Sequence, residues 1–337
     1  MKICHYTHHL SVDRTPRLGI LLDDNTVIDP NLCWALDYQR EGRFNAKERA
    51  NYKLPPSLYQ LLQIADDPIE SLKEAYGLYL FFQLLGENTL KDGSPIAYKL
   101  DGSQISLTKP LDKIATYRDF YAHEKHVAKG FEKRGEPIPP SWYEMPVYYK
   151  GATAGFIGPN ETIPWPNYTE KLDYELELAI VIGKEGKNIK AENAHEHIFG
   201  FTILNDISAR DIQRKEMAVR LGPSKGKDFC SVIGPVIVTY DEFDFKEPNL
   251  KMQAFINGEK WSEGYSKESH FSFSEMVEFA SKEEWLLCSD LLGSGTVGTG
   301  CGLELDRWIR PGDEVELRVE QIGSLKNKID NSKNYNE

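Results

Sequence analysis

Leu172-Asp173-Tyr174-Glu175-Leu176-Glu177-Leu178-Ala179-Ile180-Val181-Ile182-Gly183 is the stretch on which the fold turns. Its apolar, partly β-branched run predicts a strand. Side chains alternate across a strand, so Asp173, Glu175 and Glu177 share one face, and Leu172, Tyr174, Leu176, Leu178, Ile180 and Ile182 the other. Glu175 and Glu177 then stand roughly 6–7 Å apart. Carboxylates that close repel, and more so when buried. A hard divalent cation with oxygen ligands is the simplest relief. A solvent-facing edge strand is the other reading, because charged edges discourage aggregation. The segment alone leaves both open.

The 337 residues suffice for a substantial core and predict two domains. A formal net charge of −12, from 40 basic and 52 acidic residues, argues against a general binder of nucleic-acid backbones. No run of 18 apolar residues predicts a membrane span, and Met1-Lys2-Ile3-Cys4-His5-Tyr6 lacks the apolar centre of a signal peptide. Five widely spread cysteines without a Cys-x-x-Cys pair predict free thiols, a cytoplasmic setting and no structural zinc.

Along the chain, residues 1–30 read as short strands with a turn at Asp23-Asp24-Asn25, and residues 57–86 as helical. Asp101-Gly102-Ser103 and Lys109-Pro110 suggest a boundary near residue 110, giving an N-terminal domain 1–110, a second domain 111–326 and a polar, frayed tail 327–337. A helix is expected over about 116–129, then a long lid-like connection from Gly130 to Gly151. Strands are expected at 172–183, 199–205, 232–239, 250–257 and 313–320, with turns at Asn257-Gly258 and Arg310-Pro311-Gly312-Asp313. The fold class is therefore mixed α+β and β-rich.

Several other residues carry two readings each. Asp206 ends the strand Phe201–Asn205 and is a functional acid or a turn aspartate; Ser208 with Asp211 has the pattern of a capping box. Arg210 and Gln213 share a helix face and bind a carboxylate or face water. Asp119, His123 and His126, at i, i+4 and i+7 of the expected helix, read as a solvated face, with a general-base histidine as the sharper option. Lys225 and Lys227 lie on a glycine-containing loop that lacks P-loop spacing. Gly293-Ser294-Gly295-Thr296-Val297-Gly298 satisfies GxGxxG, but strand-like Leu303-Glu304-Leu305 follows instead of a helix, which argues against a dinucleotide site. Cys301 has nothing beside it in sequence to mark an activated thiolate. His195, His197 and the cluster His5, His8 and His9 read as surface histidines.

Together, Arg118-Asp119-Phe120-Tyr121, Asp173-Tyr174-Glu175-Leu176-Glu177, Ala194-His195-Glu196-His197-Ile198-Phe199-Gly200, Asn205-Asp206-Ile207-Ser208-Ala209-Arg210-Asp211-Ile212-Gln213, Leu221-Gly222-Pro223 with Gly226-Lys227, and Gly293-Ser294-Gly295-Thr296-Val297 leading to Leu303-Glu304-Leu305 resemble the fumarylacetoacetate hydrolase family in order and spacing. The resemblance spans about Tyr117 to Val319, and residues 1–110 resemble more weakly the small barrel-like N-terminal domain of the longer members. It implies a catalytic domain built as a twisted β-roll, and a homodimer. It implies Mg²⁺, or Mn²⁺ or Ca²⁺, held by Glu175, Glu177 and Asp206, with Asp119 as a further ligand. It implies His126 as the water-activating base, Glu304 as its orienting acid and Lys227 beside the leaving-group oxygen, with substrate contacts from Tyr121, Arg134, Tyr149, Arg210, Gln213 and Thr296. The Arg134 segment is one residue shorter than the family pattern, Ser231 replaces a threonine, and Lys215-Glu216-Met217 replaces a run ending in a substrate-facing tyrosine.

The expected partner is thus a small diketo or 2-oxo acid. The leading expectation is hydrolysis of a C–C bond in a 2,4-diketo acid such as fumarylacetoacetate or an acylpyruvate, with the departing carbanion held as an enolate. The alternative keeps the metal and isomerises, decarboxylates or dehydrates a 2-oxo acid. A non-catalytic metabolite-binding protein ranks last, because Glu175, Glu177, Asp206, His126 and Lys227 are all present.

Overall fold

The computed structural model describes residues 1–10 and 14–332. The strands that position the site are β1 (Lys2–His8), β2 (Arg17–Leu21), β3 (Thr26–Ile28), β4 (Tyr117–Phe120), β5 (Tyr148–Gly151), β6 (Leu176–Ile182), β7 (Ile198–Asn205), β8 (Ser231–Thr239), β9 (Lys251–Ile256), β10 (Glu259–Tyr265), β11 (Leu291–Gly293), β12 (Glu314–Val319) and β13 (Gly323–Ile329). The helices are α1 (Pro30–Arg40), α2 (Ala46–Lys53), α3 (Leu58–Ile64), α4 (Pro68–Leu85), α5 (Glu124–Arg134), α6 (Arg210–Ala218), α7 (Phe273–Ser281) and α8 (Gly302–Leu305).

One 12-stranded sheet runs in the order β3–β2–β1–β8–β7–β6–β11–β4–β5, extended past β3 by Ala97–Lys99. Most neighbours are antiparallel, whereas β11 and β4 are parallel, with Gly293 opposite Asp119. A second, five-stranded sheet orders as β10–β9–β12–β13, with Thr162–Ile163 at its edge. Asn257 and Gly258 join β9 to β10 with φ of 51° and 81°, the double left-handed geometry of a type I′ hairpin turn.

β6 lies in the middle of the large sheet and is buried along its whole length. Leu176, Leu178, Ile180 and Ile182 enter one hydrophobic core with Met252, Leu317 and Val277 from the second sheet and α7. Ala179 and Val181 enter a second core with Leu36, Leu61 and Phe82 from α1, α3 and α4. Each fully buried Leu or Ile contributes about 1.5–3 kcal/mol. Glu177 continues the Ala179–Val181 face with no exposure at all. The solvent-edge reading of this strand is thereby excluded.

The architecture is mixed α and β and rich in sheet, as expected. The barrel-like N-terminal part is corrected: β1, β2 and β3 do not close on themselves but continue the large sheet through the β1–β8 pairing. The expected helix over 116–129 is strand β4 followed by α5, which starts at Glu124 and runs into the expected lid to Arg134. Residues 57–86 form two helices, because Asp67 caps α4 and Pro68 opens it. Leu80, Phe81, Leu84 and Leu85 of α4 face outward. Leu303-Glu304-Leu305 is helical, Ser208 is not the cap of α6, and Asn327–Ile329 complete β13 and do not fray. His5 is fully buried, its Nδ1 2.9 Å from the Pro110 carbonyl. Among the described residues all five cysteines are free, and no helix is long and apolar enough to cross a membrane.

Candidate metal centre and active site

Four acids, in or directly beside β4, β6 and β7 of the large sheet, converge where β6 begins. Glu175 precedes β6, and its amide donates to Asn205 Oδ1 at 3.0 Å. Glu177 lies in β6, Asp206 directly follows β7, and Asp119 lies in β4. One carboxylate oxygen from each can be chosen so that all four lie within 4.8 Å of one another, and all four residues are buried. The space exists because residue 293 is glycine: a Cβ there would stand 2.5 Å from Asp119 Oδ1 and 3.1 Å from Glu177 Oε2. The glycine run that resembles a dinucleotide loop therefore makes room for carboxylates.

Two cationic side chains enter this cluster. Lys227 Nζ donates to Glu175 Oε2 at 2.6 Å and to Asp206 Oδ2 at 2.5 Å. Arg210 Nη2 donates to Glu175 Oε1 at 2.6 Å, its Nε to Asp173 Oδ2 at 2.8 Å, and its Nη1 to Gln213 Oε1 at 3.0 Å. Asp173 also accepts the Gly302 and Leu303 amides. Tyr149 and Ser231 hydroxyls donate to Asp206, and the Thr296 hydroxyl to Glu177 Oε1.

The charges do not balance, since five carboxylates surround two cations. Burial opposes ionisation of Glu175, yet Arg210 and Lys227 hold its carboxyl well below the usual range. Burial also opposes the charge on Lys227, but Asp206 and Glu175 outweigh it and raise the ammonium pKa. Asp119 and Glu177 are pushed well above the carboxylate range, first by burial and then by their acidic neighbours. Among the described residues, buried Asp119 Oδ1 and Glu177 Oε2 receive no hydrogen bond. Two buried carboxyl oxygens without a donor, set among four convergent acids, fit a hard divalent cation, whose charge would favour their ionised form.

A second group lies alongside. His126 Nδ1 is 2.6 Å from Glu304 Oε1, and the Tyr121 ring stands edge-on to the imidazole with centroids 5.3 Å apart. Glu175 pairs through its backbone with Cys301, three residues before Glu304, and so links the two groups. The expected solvated face of Asp119, His123 and His126 is corrected, for all three are buried. Of the expected substrate contacts, Tyr149, Thr296, Arg210 and Gln213 lie on the cluster through the bonds above. Arg134 is half-exposed, its guanidinium 4.1 Å from the Phe131 ring centroid. The sequence reading missed Asp173 as the anchor of Arg210 and Gly293 as the carboxylate cradle. Their signals were the Asp-x-Glu spacing and the glycine run.

The family model for the fumarylacetoacetate hydrolase C-terminal region matches residues 115–330. The chain belongs to the fumarylacetoacetate hydrolase family. Within that family it is 39% identical over 285 residues to the oxaloacetate tautomerase YisK of Bacillus subtilis, covering 82% of this chain and 91% of that protein. It is 30% identical over 200 residues to the human mitochondrial oxaloacetate tautomerase FAHD2A, covering 59% and 62%. Its fold matches the fumarylacetoacetate hydrolase of Exiguobacterium antarcticum with a TM-score of 0.68 at 23% identity, over 97% of this chain and 99% of that one.

Proposed function

We propose that this family member is a divalent-cation-dependent enzyme that interconverts the keto and enol forms of a small 2-oxo acid, oxaloacetate first among the candidates. The observation that carries the reading is a buried four-carboxylate cluster joined by one backbone pairing to a His–Glu dyad. It is supported by the tautomerase names of two relatives, one aligned over most of both chains.

Asp119, Glu175, Glu177 and Asp206 would hold the ion, with Mg²⁺ the first candidate. When bound, it supplies positive charge for the adjacent 2-oxo and carboxylate oxygens and so favours the enolate. Lys227 adds a second fixed positive charge beside the same oxygens, an effect worth about 3–4 kcal/mol for a well-placed donor. His126, with Nδ1–H donating to Glu304, presents Nε2 to take the proton from the carbon next to the ketone. Glu304 stabilises the imidazolium that forms and directs the proton's return. Arg210 holds Glu175 in place against Asp173.

The same dyad favours a second reading, C–C hydrolysis of a 2,4-diketo acid, in which His126 activates water instead of removing a carbon-bound proton. One assay separates them. With Mg²⁺, the purified protein is expected to accelerate decay of the enol absorbance of oxaloacetate, and His126→Ala to lose that acceleration while still binding Mg²⁺. Release of pyruvate from an acylpyruvate, with no effect on enol decay, would replace the first reading by the second. Full activity of His126→Ala would remove the dyad from either.

A further inference from the structure

We infer that His126, Cys301 and Glu304 form a second cation site, selective for a thiophilic divalent ion of the zinc class and distinct from the all-oxygen cluster. An imidazole nitrogen, a thiol sulfur and a carboxylate oxygen from these residues all lie within 4.8 Å of one another. That donor set suits zinc-like ions, whereas four carboxylates suit hard ones.

The distances fit. Cys301 Sγ stands 3.6 Å from Glu304 Oε1. A tetrahedral ion with arms of about 2.3 Å to sulfur and about 2.1 Å to oxygen separates those two atoms by about 3.6 Å. The His126 Nδ1 to Glu304 Oε1 contact, 2.6 Å here, has to open to about 3.4 Å. Three protein donors leave a fourth position free. Cys301 is set in place by its bridge to Glu175 and by standing at the head of α8, whose third residue is Glu304. A surface cavity of about 400 Å³ has Lys125, Lys129, Glu263, Glu268, Thr299 and Glu304 among its lining residues.

Occupation has a chemical consequence. The thiol binds as thiolate and gives its proton to solvent. Nδ1 becomes a ligand, so the imidazole hydrogen moves to Nε2, the atom proposed above to accept the substrate proton. The ion therefore inhibits, an effect that rests on the proposed function; the site itself does not.

The test is a titration of Cd²⁺ into the full chain at saturating Mg²⁺, following thiolate-to-cadmium absorption in the ultraviolet together with turnover. The band is expected in the unaltered protein and absent in both Cys301→Ser and Cys301→Ala, with circular dichroism reporting the fold of each. Half-inhibition of Cys301→Ser, measured against its own cadmium-free rate, is expected to need at least about tenfold more Cd²⁺. A band of equal strength in folded variants would overturn the site, as would relief of inhibition by further Mg²⁺, which would place the ion in the carboxylate cluster. A band that depends on Cys301 in a protein inactive on every 2-oxo acid would uphold the site and reject the catalytic reading.

Discussion

Glu177 illustrates how a single residue can be costly to the fold and useful at the same position. Its carboxylate is fully buried among other acids, and one oxygen goes without a donor. Glu177→Gln removes charge from the cation's pocket while keeping the shape. Calorimetry should show Mg²⁺ affinity lowered at least about tenfold, with the metal-free melting temperature unchanged or raised because a repulsion is relieved. Unaltered affinity would defeat the ligand assignment. Arg210 behaves in the opposite way. It neutralises buried Asp173 and Glu175, so Arg210→Met leaves two buried carboxylates short of a partner, and breaking such a pair costs about 3–5 kcal/mol. Urea unfolding of the variant measures this directly, and a loss below about 1 kcal/mol, the range of exposed pairs, would mean that solvent screens the network.

At the scale of elements, local signals succeeded where the chain punctuates itself and failed where a distant partner decides. The Asn257-Gly258 turn was legible because both central residues need positive φ, which these two tolerate. Asp119 to His126 was misread because its spacing mimics a helix face; β4 is a strand because β11 and β5, far away in sequence, pair with it on both sides. Leu303-Glu304-Leu305 has too few residues for its alternation to distinguish strand from helix. The helix α7 is capped locally: the Ser272 hydroxyl accepts the Glu275 amide and the Glu275 carboxylate accepts from Ser272 in return. Ser272→Ala should therefore cost about 1 kcal/mol of stability, read as a lower urea midpoint with an unchanged slope.

For the molecule as a whole, buried histidines set the response to acid. His5 sits between the Pro110 carbonyl and the Leu58 amide, an arrangement that suits a neutral ring donating at Nδ1 and accepting at Nε2. Burial lowers its pKa, the nearby Asp112 opposing only in part. Burial lowers His123 to about 3, with His126 and Lys125 acting in the same direction. The unfolded chain takes up these protons at about pH 6.5, whereas the folded chain resists until lower pH. Unfolding thus binds protons, and stability falls as pH drops below about 6.5, by at most about 1.4 kcal/mol per pH unit for each histidine. Chemical denaturation between pH 7.5 and pH 5, both chosen to bracket about 6.5, should show a shallower decline in His5→Gln than in the unaltered chain. Equal slopes would mean that His5 is not held neutral.

The sequence by itself determined the alternation of β6, the acids that punctuate it, the hairpin turn and the family, because these rest on neighbours along the chain and on motif order. It could not determine whether Glu175 and Glu177 meet water or a closed pocket. Only the tertiary structure did so, by placing β6 at the centre of the large sheet and bringing Asp119, Asp206, Lys227 and Arg210 onto its first turn of chain. Charge on a strand is tolerable or costly according to what covers it, and that covering comes from residues dozens to more than a hundred positions away.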